Sequence, residues 1–340
     1  MGTTQLDTVQ RVDVTDDALL HQLHAVEAAS WSAGRPWHDP ESPEAFAADQ
    51  RFVDPGQEHL LWAAWVDGRP VGLAHCWFPM TDNVDKAYCT VEVEPQARGR
   101  GLGTALLETV LDEIRGRARA EVLSELLVPL DAGDHHPYRR FADRHGFAVA
   151  SSDSMRHLAL PVDPALLDDL EARAQASWAG RYHLETYVGG VPEHLQPSLC
   201  DTENQLAVDA PAGAVEFEPE SLTPERYRER MRLFNGMGRE RFTTVAVDAE
   251  GQVVAYTDLV VGAGTRTSVG QWGTLVRREH RGHRLGLAVK VENLRRLQAA
   301  HPERTVVMTG NADVNAHMLA INEALGFRLV EACPQLQRRL

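Results

Sequence analysis

The residues with the most chemical content are Arg98-Gly99-Arg100-Gly101-Leu102-Gly103, followed by Thr104. Glycines at alternate positions remove the side chains that would screen main-chain N–H groups. Where such a loop runs into a helix, those groups and the positive end of the helix dipole converge on an anion. A diphosphate suits a nest of this kind. Two better-known phosphate motifs fit less well. A P-loop needs a Lys that the loop lacks, and a dinucleotide fingerprint needs GxGxxG, whereas the glycines stand at 99, 101 and 103. Taken alone, a helix-capping turn fits the loop equally well. Just upstream, Val91 and Val93 alternate with Glu92 and Glu94, so both carboxylates share one face of a strand. That face either opens to a cleft, making Glu92 a proton acceptor, or is a solvated strand edge.

The elements that must position this loop occur twice. Hairpin signals turn at Asp67-Gly68 and Glu250-Gly251, where glycine accepts the positive φ required. A second strand–loop–helix, QWGTLVRREHRGHRLGLAVKVENLRRL, carries Leu275, Val276, Arg281, Gly282, His283, Arg284, Leu285 and Gly286. Two helices end in Gly-Phe, at Gly146 and Gly326. Gly68 and Gly251, Arg98 and Arg281, Gly146 and Gly326 lie 183, 183 and 180 residues apart, which marks an internal duplication. Leu106, Leu107, Val110, Leu111 and Ile114, and Leu287, Val291, Leu294 and Leu297, give the two long helices apolar faces. Strands are expected at 122–128 and 305–309, and a helix at 163–178. Mixed strand and helix order predicts an α/β fold of the α+β mixed-sheet kind, in two domains, 1–160 and 161–340, with a bridging segment at 161–213.

Composition narrows the class. The chain has 340 residues, 43% hydrophobic and 24% charged, a profile of globular protein. A formal net charge of −15 argues against nucleic-acid partners and mildly favours a cationic small molecule. No apolar run approaches a membrane span, the N-terminus lacks a secretion pattern, and Gly2 has no second lipid anchor to support it. Cys76, Cys89, Cys200 and Cys333 are scattered, and neither His135-His136 nor His280 and His283 has metal-ligand spacing, so we expect a reduced, cytoplasmic protein without metal.

The two loops resemble the acetyl-CoA loop of the GNAT (GCN5-related N-acetyltransferase) superfamily, [Q/R]-x-x-G-x-[G/A]. Arg98, Gly101 and Gly103 fill that pattern, and Arg281 and Gly286 repeat it with Arg284 in place of the middle glycine. The resemblance covers both halves, and its layout is similar to mycothiol-synthase-like tandem proteins. It implies two GNAT-like domains, each a mostly antiparallel sheet with one splayed strand pair, flanked by helices. It further implies acetyl-CoA as co-substrate, held by residues 98–104 and 281–286 and by the main chain near Val91, Val93, Leu275 and Val276, with Asn315 at a cofactor-contacting position. The implied function is acetyl transfer to the primary amine of a small molecule by direct attack in a ternary complex. Its alternative is a non-catalytic acyl-CoA-binding protein with one or both domains degenerate. The family's usual Tyr acid is replaced by Ala142 and Asn322. Tyr138, one helical turn earlier, is the candidate substitute, Glu92 is the candidate base, and Asp258 and Glu216 are lesser candidates in the second half. Trp62, Trp65, Trp77 and Trp272 are read as core or as walls of a substrate pocket. A monomer is the default expectation, with a homodimer as the alternative.

Overall fold

A computed structural model of the chain describes residues 8–52, 54, 56–211 and 213–340, so the readings made on the first seven residues, Gly2 included, lie outside it. Packing divides the chain into two units. One runs to Ala150 and includes Gln335–Leu340; the other is Ser151–Pro334.

In the first unit β1 (Thr8–Arg11), α1 (Asp17–Ser32) and α2 (Pro43–Gln50) lead into the hairpin β2 (Gln57–Val66) and β3 (Arg69–Pro79). Then come β4 (Lys86–Val93), α3 (Leu102–Gly116), β5 (Glu121–Glu125), the short β6 (Val128–Pro129) and α4 (Pro137–Arg144). The hairpin turns through Asp67 and Gly68, at φ 51° and 72°, as a two-residue turn with both central residues left-handed requires. Asp16 caps α1 by accepting the Leu19 N–H at 3.0 Å, and the helix buries Leu20, Leu23 and Val26 on one face. On the other side of the sheet α3 buries Leu102, Leu106, Leu107, Val110, Leu111 and Ile114. Each such side chain contributes about 1.5–3 kcal/mol of burial free energy.

Strands pair in the order β1-β2-β3-β4-β5, all antiparallel except β4 with β5. That parallel pair holds only at Lys86–Glu121, Ala87–Val122 and Tyr88–Leu123; beyond Tyr88 no register is kept and the strands part. The sixth strand is the chain's C-terminal end, Gln335–Arg339, antiparallel to β5.

The second unit repeats the plan. After β7 (Ala148–Ala159) come α5 (Pro164–Trp178), β8 (His183–Val188), α6 (Gln196–Asn204), α7 (Leu206–Asp209) and α8 (Pro224–Gly236). They are followed by β9 (Glu240–Val247), β10 (Val253–Val261), β11 (Ser268–Val276), α9 (Leu285–Ala300), β12 (Val306–Ala312), α10 (Ala316–Leu325) and β13 (Arg328–Arg339). Its sheet runs β8-β9-β10-β11-β12, again antiparallel except for the three-residue parallel pair of β11 with β12. Residues 153–159 of β7 complete it.

Each sheet therefore takes its last strand from the far end of the other repeat. A single cut near residue 160 differs from this arrangement, because chain order hides the exchange. The bridging segment holds the edge strand β8 and, after an irregular stretch, α6 and α7.

Candidate active site

The splay of β4 from β5 opens a cleft of about 410 Å³ in the first unit. Cys89–Val93 form one wall and Ser124–Leu127 the other. Leu107 from α3 and Tyr138, Phe141 and Ala142 from α4 line it, with Phe147, Leu336 and the end of α1 at Ser30 and Trp31. Of the residues singled out in this half, it gathers Val91, Glu92, Val93, Arg98, Gly99, Gly101, Leu102, Gly103, Thr104 and Tyr138. Arg100 sits exposed on the same loop.

The loop has the geometry of an anion nest. Gly99 and Gly101 stand at φ 77° and 84°, and an added Cβ at either meets nothing within 4 Å. Glycine is thus required by conformation, and the space outside the backbone is open. Among the described residues no side chain caps α3, so its first N–H groups, which lack intrahelical acceptors, are left open beside a cleft that Gly101–Thr104 line. A Cβ on Gly103 would lie 3.4 Å from Phe141 and 3.9 Å from Val91, both cleft residues. These features fit a diphosphate with an extended apolar arm.

Arg98 acts differently from what its place in the loop suggests. Its Nε donates to the Val93 carbonyl at 2.9 Å, one terminal nitrogen to the Tyr138 hydroxyl at 2.8 Å, and the other to Ser30 Oγ at 3.1 Å. It ties the end of β4 to α1 and α4 and holds the Tyr138 hydroxyl in the cleft. Arg281 repeats the first bond, donating to the Val276 carbonyl at 3.1 Å.

Glu92 is buried, and its Oε2 finds no hydrogen-bond partner among the described residues. Burial pushes its carboxyl up to about 7, against the pull of His75 and with the push of Glu27. A carboxylate so placed changes protonation near neutral pH, as a general base must. Cys89, also in the cleft wall, is a buried thiol that burial pushes up to about 12, which keeps it protonated.

The second unit departs at the equivalent positions. Leu275 stands where the first has Glu92, and Met318 where it has Tyr138. Arg284 adopts the left-handed conformation of Gly101, at φ 56°. Asp209 ion-pairs with both Arg278 and Arg281, the latter at 2.6 Å. His280 meets the Tyr182 hydroxyl at 3.0 Å, and His283 lies 3.5 Å from Arg181. Gly282 keeps its positive φ of 84°, and Leu285 and Gly286 are buried at the start of α9. Asn315 caps α10, accepting the Met318 N–H at 3.2 Å. Leu107 and Ala142 of the first cleft are matched by Lys290 and Asn322, fully buried and hydrogen-bonded at 3.1 Å. Asp258 is a core ion: it accepts from Arg241 and from Thr243, each at 2.6 Å, and is closed to a substrate. Glu216 is exposed outside the sheets.

Of the tryptophans weighed as pocket walls, Trp62 is core, Trp65 packs under α1, Trp77 stacks on His59 and His75, and Trp272 is half exposed. Trp31, at the end of α1, is the one that lines the first cleft. Sequence reasoning missed it, together with Glu27 and His75, because nothing in local spacing says which face of α1 meets β4.

Comparison with known proteins agrees with this geometry. Residues 20–147 match the model of the acetyltransferase (GNAT) family. The mycothiol acetyltransferase of Beutenbergia cavernae is 34% identical over 98 residues, a stretch that spans 29% of this chain and 30% of that protein. A tandem GNAT protein from the clavulanic acid biosynthesis pathway superposes with a TM-score of 0.79 at 23% identity, over 98% of both chains. A GCN5-related N-acetyltransferase from Sphaerobacter thermophilus does so at 0.64 and 19%, over 98% of this chain and 95% of that one. The family model matches within the first unit, and the fold of the whole chain is that of the tandem structure. Among the described residues no three His, Cys, Asp or Glu side chains cluster to hold a metal, and no helix is long and apolar enough to cross a membrane.

Proposed function

We propose that the chain is an acetyl-CoA-dependent N-acetyltransferase for a primary amine on a small molecule, working in the cleft of the first unit. One observation carries this reading: a single cleft joins a glycine nest, an unpaired strand edge, a buried carboxylate poised near neutrality and a tyrosine hydroxyl. The N–H groups of residues 99–104 would hold the diphosphate. The unpaired edge of β4 near Val93 would take the main-chain hydrogen bonds of the pantetheine arm and polarise the thioester carbonyl. Glu92 accepts a proton from the ammonium, leaving a neutral amine to attack. Tyr138, held by Arg98, donates a proton to the departing thiolate. Alignment of the two reactants in one cleft supplies most of the acceleration.

The second unit has neither carboxylate nor hydroxyl at the matching positions, so its part is binding or support. That observation favours the non-catalytic reading for this half alone. CoA release from acetyl-CoA with a panel of primary amines tests the proposal. Gly101→Trp should abolish release and Gly286→Trp should spare it. Full turnover by Gly101→Trp would refute the assignment of the loop.

A further inference from the structure

Beside the cleft, on the α1 side of the first sheet, lies a buried charged cluster that the mechanism above does not use. His75 on β3 is only 4% exposed. Its Nε2 lies 3.3 Å from Glu27 Oε1 on α1, and its Nδ1 lies 3.0 Å from His59 Nε2 on β2. The ring is parallel to those of His59 and Trp77, at centroid distances of 5.1 and 5.2 Å, and Phe46 packs edge-on at 6.4 Å. The register of β3 with β4 sets Thr90 opposite His75 and Leu73 opposite Glu92. His75 and Glu92 are therefore diagonal neighbours on one sheet face.

We propose that His75 is a positioning residue for the reaction: clamped between Glu27 and His59, it holds a positive charge beside Glu92 and keeps that buried carboxylate able to take the amine proton. The inference rests on the assignment of Glu92 as base.

The surroundings suit a charged ring, with Nε2 in an ion-pair approach to Glu27 that lacks hydrogen-bond geometry. An imidazolium donates from both nitrogens, and here one faces a carboxylate and the other a histidine nitrogen. His59 must then accept through Nε2 and carry its own proton on Nδ1. Burial, followed by the charge of His75, pushes His59 down to about 3, so it remains a neutral acceptor. For His75 burial is the largest single influence and acts downward, but the close approach of Glu27 and the charges of Glu92, Glu27 and Asp49 outweigh it and raise the group. The titratable groups facing the ring are thus Glu27 from α1, Asp49 from α2, His59 from β2 and Glu92 from β4. In the step itself an N–H bond of the ammonium breaks, its proton goes to a Glu92 oxygen, and the nitrogen keeps the electron pair that attacks the thioester carbon. His75 stays protonated throughout.

The test combines a pH–rate profile with histidine NMR on the full chain. With acetyl-CoA and the best amine of the panel, His75→Gln should move the ascending limb upward by about one pH unit, since one neighbouring charge is worth roughly 1–3 units. Turnover at pH 7 should fall about fivefold and recover at high pH, with the KM for acetyl-CoA unchanged. An unmoved limb in His75→Gln, or a loss equal at every pH, overturns the proposal. In 15N-histidine spectra the ring whose signals vanish in His75→Gln should be doubly protonated at pH 7 in the wild type. Its midpoint should fall in Glu27→Gln and Glu92→Gln. A neutral ring at pH 7 refutes the inference whether or not an acceptor is known. Wild-type turnover by Glu92→Gln would instead remove the base assignment itself; an inactive Glu92→Gln with an unshifted His75→Gln removes only the role of His75.

Discussion

Replacing Glu92 with Gln separates stability from activity, and the structure fixes the sign of each effect. The carboxyl is moved from an ordinary 4.5 to about 7, with burial as the main cause. At about 1.4 kcal/mol per unit, ionising it in the folded protein costs about 3 kcal/mol more than in the unfolded chain. Between pH 4.5 and 7 the folded state binds the extra proton, so this contribution is fully present below 4.5 and is lost as pH rises through 7. Gln is neutral throughout and of similar shape, so it carries no such loss. Equilibrium urea unfolding of both proteins at pH 5 and pH 8 should show the variant gaining on the wild type by roughly 2–3 kcal/mol between the two pH values. Any constant cost of the amide cancels in that difference. The same variant should lose about 10²–10⁴ in kcat, the usual worth of a general base. If the stability difference is flat with pH, Glu92 is not buried as an acid, and the reasoning about its role as base fails with it.

Three further outcomes follow from the same geometry. Tyr138→Phe leaves Arg98 bonded to Val93 and Ser30, so acetyl-CoA affinity by calorimetry should hold while kcat drops at least about tenfold; unchanged kcat would remove Tyr138 as acid. Lys290 is pushed down to about 7 by burial, so the folded state disfavours its charge, and stability is lost as pH falls from 10.5 through 7. Lys290→Met should therefore stabilise the protein more at pH 6 than at pH 10, and an equal effect at both would show the lysine to be solvated. Arg284→Gly relieves a left-handed side chain at the start of α9 and should stabilise by about 1 kcal/mol in urea unfolding; a loss of that size would mean the arginine side chain holds the loop.

Local signals in the sequence carried most of this architecture. Asp67-Gly68 had to be a turn, the Leu and Val spacing of α3 and α9 had to be helical, and the constant offsets required two similar units. The loop of Gly99 and Gly101 was legible as well, although its glycines suit a helix-capping turn as readily as an anion nest. Strand exchange was not, because β7 and β13 read as the natural last strand of their own repeats and pairing partners leave no local mark. The tie made by Arg98 was hidden for a similar reason: its acceptors, Ser30 and Tyr138, lie 68 and 40 residues away. Glu27 and His75 gain their meaning only when α1 lies across β3 and β4. In the second unit Leu275 and Met318 were readable from the repeat offset, but their significance needed Glu92 and Tyr138 to be seen in one cleft first.

The central claim is that main-chain N–H groups after β4 hold the cofactor's diphosphate. A crystal structure of the full chain grown with acetyl-CoA tests it most directly. Diphosphate oxygens should lie about 3 Å from N–H groups of residues 99–104, with the thioester beside Val93. Ordered acetyl-CoA elsewhere, with residues 99–104 facing only solvent, would contradict it.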